Sequence, residues 1–288
     1  MKKLVFGNGL KIDTTLKKNL NGCVERVDGK KASLIIIDGG VGEGKTTLGT
    51  ICAMEISKEK GEPFSILDQV RQGGEDFLKG MEWCVENNRS VIVYDEAGDF
   101  NTRASLTHFN KNMNRVFETY RALRIIVILC LPSFADVDSS LMKKKISRML
   151  IHCYSRTKNR GNYKVYSLWR MWYLKKGFKQ VTVPDDAFKM TTPNFFGHFK
   201  DLDPADSKIL EEHSLEAKKK IITDGTMKDR NMIGIKRIAE ETGFSDVSIH
   251  KYIKKFEPVV ERVGNKKFYH KEIVQDIIDH KKNTGRVD

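Results

Sequence analysis

The chain has 288 residues, 40% of them hydrophobic and 31% charged, with a formal net charge of +13 at pH 7. This is the composition of a soluble globular protein, long enough for a sizeable core in one large domain or two unequal ones. It excludes a bilayer-spanning helix, because the longest apolar run, Ile125–Leu131, is far too short. The basic N-terminus, Met1 to Gly9, lacks a sustained apolar core, so no signal peptide is expected. Cys23, Cys52, Cys84, Cys130 and Cys153 are scattered, odd in number and free of any C-x-x-C spacing. Neither a zinc site nor a disulfide framework is expected, and a cytoplasmic location fits. The positive charge favours polyanionic partners, although a solubilising lysine surface would give the same count.

Residues 1–32 carry turn signals at Gly7-Asn8-Gly9 and Asp28-Gly29-Lys30. Val24 to Val27 could pair with the run that follows, so an N-terminal strand extension is expected. From Ser33 the rhythm is β–α–β–α. Strands are expected over 33–38, 63–67, 90–95, 125–131, 148–154 and 163–174, with helices over 45–60, 75–87, 106–123 and 137–145. This alternation predicts an α/β fold, a mostly parallel sheet flanked by helices, over residues 33–200. Residues 181–200 read as a packed connector. Residues 201–225 read as a helical linker ending at Asp224-Gly225-Thr226. Residues 226–288 read as a small separate domain.

The first strand runs into Gly39, Gly40, Val41, Gly42, Glu43, Gly44, Lys45, Thr46 and Thr47. Between a strand and a helix, G-x-x-x-x-G-K-[ST] is a phosphate-binding loop. Its glycines remove Cβ atoms from the phosphate's path, and the backbone N–H groups and helix N-terminus supply partial positive charge. Lys45 is expected to reach the β- and γ-phosphates of ATP, and Thr46 to offer its hydroxyl to Mg²⁺. Val91 to Tyr94 then end in Asp95 and Glu96, a Walker B pattern. Acids at the carboxyl end of a parallel strand face the ligand crevice. Asp95 is therefore expected in the Mg²⁺ shell, and Glu96 as the residue that polarises the attacking water.

These two motifs resemble the P-loop NTPases that keep a catalytic glutamate beside the Walker B acid. The continuation Asp95-Glu96-Ala97-Gly98, a long helix and the Ile125–Leu131 strand resemble the FtsK–HerA group, with its viral packaging and zonular-occludens-toxin-like ATPases. The resemblance spans about residues 33–175. It implies Mg²⁺-dependent ATP hydrolysis in a homo-oligomer, with a hexameric ring among the forms it suggests. It also asks for a cation that stabilises the transferring phosphoryl group. Arg103 is the candidate, with Arg115, Arg121 and Arg124 behind it. Leu131-Pro132-Ser133 stands where that group places a glutamine sensor.

Residues 235–256 resemble a helix-turn-helix, with Gly243 at the turn and Ser245 as N-cap of the second helix. Ile235, Ile238 and Ala239 are expected to pack on Val247, Ile249, Tyr252 and Ile253. Val259 to Tyr269 then reads as a hairpin wing and 271–280 as a closing helix, a winged-helix pattern. Its second helix would enter the major groove of duplex DNA with Ser248, His250, Lys251, Lys254 and Lys255 outward, while Lys266 and Lys267 meet phosphates. Two functions stay open: a DNA-acting motor of the translocation or packaging type, or an ATP-gated DNA-binding switch. His108, His152, His198 and His213 lack metal-ligand spacing and read as structural or surface residues. Trp169, Trp172 and Tyr173 read as core rather than as a base-stacking platform.

Overall fold

The computed structural model describes residues 11–95, 123–137, 139–143, 145–156, 159–256, 258, 260–263 and 266–284. They form two compact units, Met1–Ser214 and Leu215–Asp288.

Among the described residues, the first unit is built on a seven-stranded sheet. Its strands are β1 (Ser33–Asp38), β2 (Val70–Gln72), β3 (Val91–Asp95), β4 (Ile126–Leu131), β5 (Ser147–Arg156), β6 (Asn159–Ser167) and β7 (Phe195–His198), in the order β2-β3-β4-β1-β5-β6-β7. The ladders joining β2, β3, β4, β1 and β5 are all parallel. β6 and β7 add antiparallel pairs at one edge. All six residues of β1 are buried, because helices cover both faces and no position of the strand meets water. Ile35 and Ile37 point into one core, Leu34 and Ile36 into the other. This period of two recurs in β3 and β4. The mostly parallel, helix-flanked sheet is therefore the architecture expected from the alternating pattern.

α1 (Thr14–Asp28) and α2 (Lys45–Lys60) lie on the first core. α1 occupies the segment expected to be a strand extension. Leu16, Leu20, Cys23, Val24 and Val27 fall on one helical face and are buried there. Asp13 caps the helix, its Oδ1 accepting from the backbone N–H groups of Thr15 and Leu16 at 2.9 Å each. Val24 and Val27 alone are too few to define a period, and the upstream Leu16, Leu20 and Cys23 together with the cap decide the outcome.

Three further differences follow the same logic. Residues 66–69 form the short helix α3 (Ile66–Gln69), with β2 starting only at Val70. Ser65 Oγ donates to Asp68 Oδ2 at 2.5 Å and Gln69 Oε1 accepts from the Ser65 N–H, closing a helical turn. After α4 (Gly74–Glu86) and the short α5 (Ser140–Lys143), β6 stops at Ser167, and 168–174 belongs to α6 (Leu168–Phe178). Met171, Leu174 and Gly177 recur at helical spacing on its buried side. The expected connector contains α7 (Pro184–Met190) and β7.

The expected linker at Asp224-Gly225-Thr226 is helical, inside α8 (Pro204–Asn231). One glycine costs a helix interior only about 1 kcal/mol, which does not by itself end it.

The second unit has β8 (Met232–Gly234), α9 (Ile235–Thr242), α10 (Asp246–Phe256), β9 (Val260–Val263), β10 (Lys266–His270) and α11 (Glu272–Thr284). The strands form an antiparallel sheet in the order β8-β10-β9. Ile233, Ile238, Ile249, Tyr252, Tyr269, Ile273 and Ile277 make its core. Gly243, at φ +72°, ends α9 in the left-handed region. Val247 does not join that core and is 71% exposed. It precedes Ile249 by two residues, about 200° round the helix, and so faces away from it.

Among the described residues, no helix is long and apolar enough to cross a membrane.

Candidate functional site

The phosphate-type loop connects the carboxyl end of β1 to the N-terminus of α2, beside the carboxyl ends of β3, β4 and β5. Gly44 is the N-cap of α2, at φ +83° and with no side-chain cap. A Cβ there would sit 2.8 Å from Cζ of Phe199, a ring that is 2% exposed. A Cβ on Gly39 would sit 2.5 Å from the Cys153 carbonyl oxygen. Both ends of the loop therefore lie against the fold too closely for a side chain, and Val41 at its tip is 99% exposed.

Lys45 bends back over the loop. Its Nζ donates to the carbonyls of Gly39 at 2.8 Å and Gly40 at 2.6 Å. Thr46 Oγ1 donates to Asp95 Oδ2 at 2.9 Å, joining the start of α2 to the end of β3. Thr47 follows in the same first turn. A hydroxyl and a carboxylate converging this closely are hard oxygen donors suited to a magnesium ion that keeps most of its own water. The first turn of α2 holds no acidic residue, so its N–H groups and dipole are left to an anion. Glu43 faces away from that role, its Oε2 accepting from Ser155 Oγ of β5 at 2.6 Å. Glu96 and Arg103 lie outside the described residues, as do Arg115 and Arg121. Arg124 is described and exposed. Ser133 accepts from the Ala135 N–H at 3.2 Å, capping the 3-10 turn Phe134–Asp136.

Three neighbours of the loop escape a reading of the sequence. Asp38 is 1% exposed. Its Oδ2 accepts from the Phe134 N–H at 3.0 Å, and its Oδ1 lies 3.0 Å from His152 Nδ1. His152 in turn stacks on Phe188, ring centroids 3.7 Å apart. A polar residue ending a strand and a lone histidine give no hint that β1 and β5 set them level, as the register Asp38↔His152 does. Gln72 is paired in register with Asp95 and is 5% exposed. Among the described residues, neither its Nε2 nor its Oε1 has a hydrogen-bond partner.

All five cysteines are buried and free. Burial pushes the Cys84 thiol up to about 12, and raises Cys23, Cys52, Cys130 and Cys153 as well. Among the described residues, no cluster of histidine, cysteine and acidic side chains could hold a metal ion.

In the second unit, α10 turns Val247, His250, Lys251, Lys254 and Lys255 to the surface. Ser248 is partly buried. Its N–H donates to Ser245 Oγ at 3.3 Å, the N-cap expected from the sequence, and the two hydroxyls are 3.1 Å apart. Lys255 Nζ lies 2.8 Å from His280 Nε2, which draws it toward α11. Lys266 and Lys267 stand on β10, opposite Val263 and Arg262 of β9.

No protein-family model matches this chain, and no curated protein does. Several solved structures are similar to part of this chain. An Escherichia coli MS115-1 HORMA:CdnC:Trip13 complex matches at 14% identity and TM-score 0.33, over 50% of this chain and 61% of that one. The flagellar accessory protein FlaH of Methanocaldococcus jannaschii matches at 17% and 0.26, over 50% and 82%. The KaiC-like protein PH0186 of Pyrococcus horikoshii OT3 matches at 14% and 0.29, over 46% and 78%. The chain thus spans about 61% of the length of the first of these.

Proposed function

We propose that this chain is an ATP-hydrolysing motor acting on duplex DNA, of the translocation or packaging type found in the FtsK–HerA group. The observation that carries the hydrolytic half is the Thr46–Asp95 hydrogen bond beside the acid-free N-terminus of α2. It brings the two motifs together where a nucleotide's phosphates and their metal would sit. Lys45 would leave the loop carbonyls for the β- and γ-phosphates, and Thr46 and Asp95 would hold Mg²⁺. The bound ion would neutralise charge on the phosphate oxygens. Glu96 would polarise the attacking water, and Arg103, from a neighbouring copy in a ring, would face the transferring group.

The nucleic-acid half is supported by the second unit's two helices, Gly243 turn and antiparallel hairpin, which fit a winged helix, and by the basic outer face of α10. That helix would lie in the major groove. Exposed Val247, His250 and Lys251 on the same face also favour a second reading, an ATP-gated switch that recognises a particular sequence. Apolar side chains there can meet thymine methyl groups.

The test is ATP turnover by the full chain with Mg²⁺, with and without duplex DNA. Lys45→Ala should abolish turnover, and Glu96→Gln should retain ATP without hydrolysing it. Unchanged turnover in Lys45→Ala would remove the site. Stimulation by any duplex favours the motor, and a strong preference for one sequence favours the switch. Absence of duplex binding at low salt would sink the nucleic-acid half.

A further inference from the structure

We infer that the outer face of α6 in the first unit is a stacking platform for single-stranded DNA. The sequence pattern puts Trp169 and Tyr173 in the core, yet they are 68% and 50% exposed. The helix buries Met171, Leu174 and Gly177, so its packing is already satisfied on the other side. Positions 169, 173 and 176 are spaced by four and three, which places Trp169, Tyr173 and Lys176 in one outward row.

The row is built as well as exposed. The two rings meet edge to face with centroids 5.5 Å apart. Lys176 Nζ lies 5.9 Å from the Tyr173 ring. Arg170 Nη1 donates to the Thr192 carbonyl, tying α6 to the segment after α7. Between them runs a groove of about 510 Å³, walled on its far side by Met190, Thr191 and Thr192. Its ionisable side chains are Arg170, Tyr173 and Lys176, with no carboxylate among the described residues that line it.

Charge and shape together select the occupant. Cationic walls ask for an anion, and open aromatic faces ask for flat apolar groups spaced along it. A nucleic-acid strand supplies both, bases for the rings and phosphates for the cations. Duplex DNA does not fit, because its base faces are covered by their neighbours. The strand must be unpaired. In naming DNA over RNA, the inference rests on the DNA-acting reading above.

The experiment uses the full chain and fluorescein-labelled single strands, dT20 and rU20, with a blunt duplex as third probe, by anisotropy at low salt. Trp169→Ala and Tyr173→Ala should each weaken dT20 binding roughly tenfold, the usual scale for losing one stacked base, while Trp169→Phe keeps most of it. Duplex binding should be unchanged in all three variants. Binding of dT20 that is absent, or indifferent to Trp169 and Tyr173, overturns the platform. Tighter binding of rU20 than of dT20 overturns the choice of DNA. Loss of duplex binding in the Trp169 or Tyr173 variants overturns the selectivity for an unpaired strand, whereas an unaltered chain that binds dT20 but no duplex upholds the platform and removes the second unit's proposed role.

Discussion

Gly44 offers the most quantitative test of the phosphate loop, because two separable costs meet there. One is the left-handed backbone at φ +83°, and the other is the 2.8 Å approach of a new Cβ to the buried Phe199 ring. Gly42 carries the first cost alone, at φ +82° with nothing among the described residues within 4 Å of a Cβ. Gly42→Ala should therefore cost about 1–2 kcal/mol, the usual penalty for an L-residue in that region. Gly44→Ala should cost about 2–5 kcal/mol, since overpacking a core adds roughly 1–3 kcal/mol. At about 2–4 °C per kcal/mol for a unit of this size, the melting temperature should fall by roughly 2–8 °C and 4–20 °C respectively. Tryptophan fluorescence reads the right unit, since Trp83, Trp169 and Trp172 all lie within Met1–Ser214. Phe199→Leu should be destabilising alone but should partly rescue Gly44→Ala, giving a double-mutant coupling of about 1 kcal/mol or more. Equal effects of the two alanines, or strict additivity of Gly44→Ala with Phe199→Leu, would refute the packing argument.

Thr46→Val should cost about 1.5–3 kcal/mol of stability, the range for a hydrogen bond to a charged group. It should also weaken the Mg²⁺ dependence of ATP binding at least tenfold in a metal titration. An unchanged titration would remove Thr46 from the metal shell. Gln72→Met should raise the melting temperature, because it removes two buried polar atoms without partners among the described residues, at nearly constant volume. A fall would show that the amide is satisfied in solution. The cysteines should resist iodoacetamide at pH 8 in the folded protein and react when it is unfolded. Their folded pKa values lie above the unfolded ones, so the native state binds more protons once the pH exceeds the ordinary thiol range. Stability should therefore decline with rising pH through the window that ends near 12 for Cys84. Rapid alkylation of native protein would contradict the burial.

The loop and its flanking elements are legible because they are local. A fully buried strand is written as an unbroken apolar run, Leu34 to Ile37, and the glycine spacing lies next to it. What is not legible comes from contacts distant in sequence. Nothing near Gly44 announces Phe199, and nothing near Glu43 announces Ser155. The strand-to-helix error at 168–174 has a different source. Tyr163 and Val165 set a period of two on one face of the sheet that Leu168, Met171 and Leu174 abandon, and the aromatics between them blur the change. Trp169 and Tyr173 are misplaced for the same reason, since a strand would bury alternate residues whereas the helix turns these two outward together.

The carboxylate of Asp38 has a consequence for which substitutions the loop's root can absorb. With one oxygen accepting from Phe134 and the other beside His152 Nδ1, the imidazole serves it best as the tautomer protonated at Nδ1. In Asp38→Asn the amide would keep its carbonyl on Phe134 and turn its NH₂ toward the ring. The imidazole answers by moving its proton to Nε2, so that Nδ1 accepts. The pair can thus exchange donor for acceptor without moving a heavy atom. His152→Phe would preserve the stack on Phe188 and yet strand a buried oxygen. The histidine's worth here lies in its reversible polarity. Asp38→Asn should therefore refold with nearly native yield, whereas His152→Phe should not, although it is the substitution that leaves the carboxylate in place.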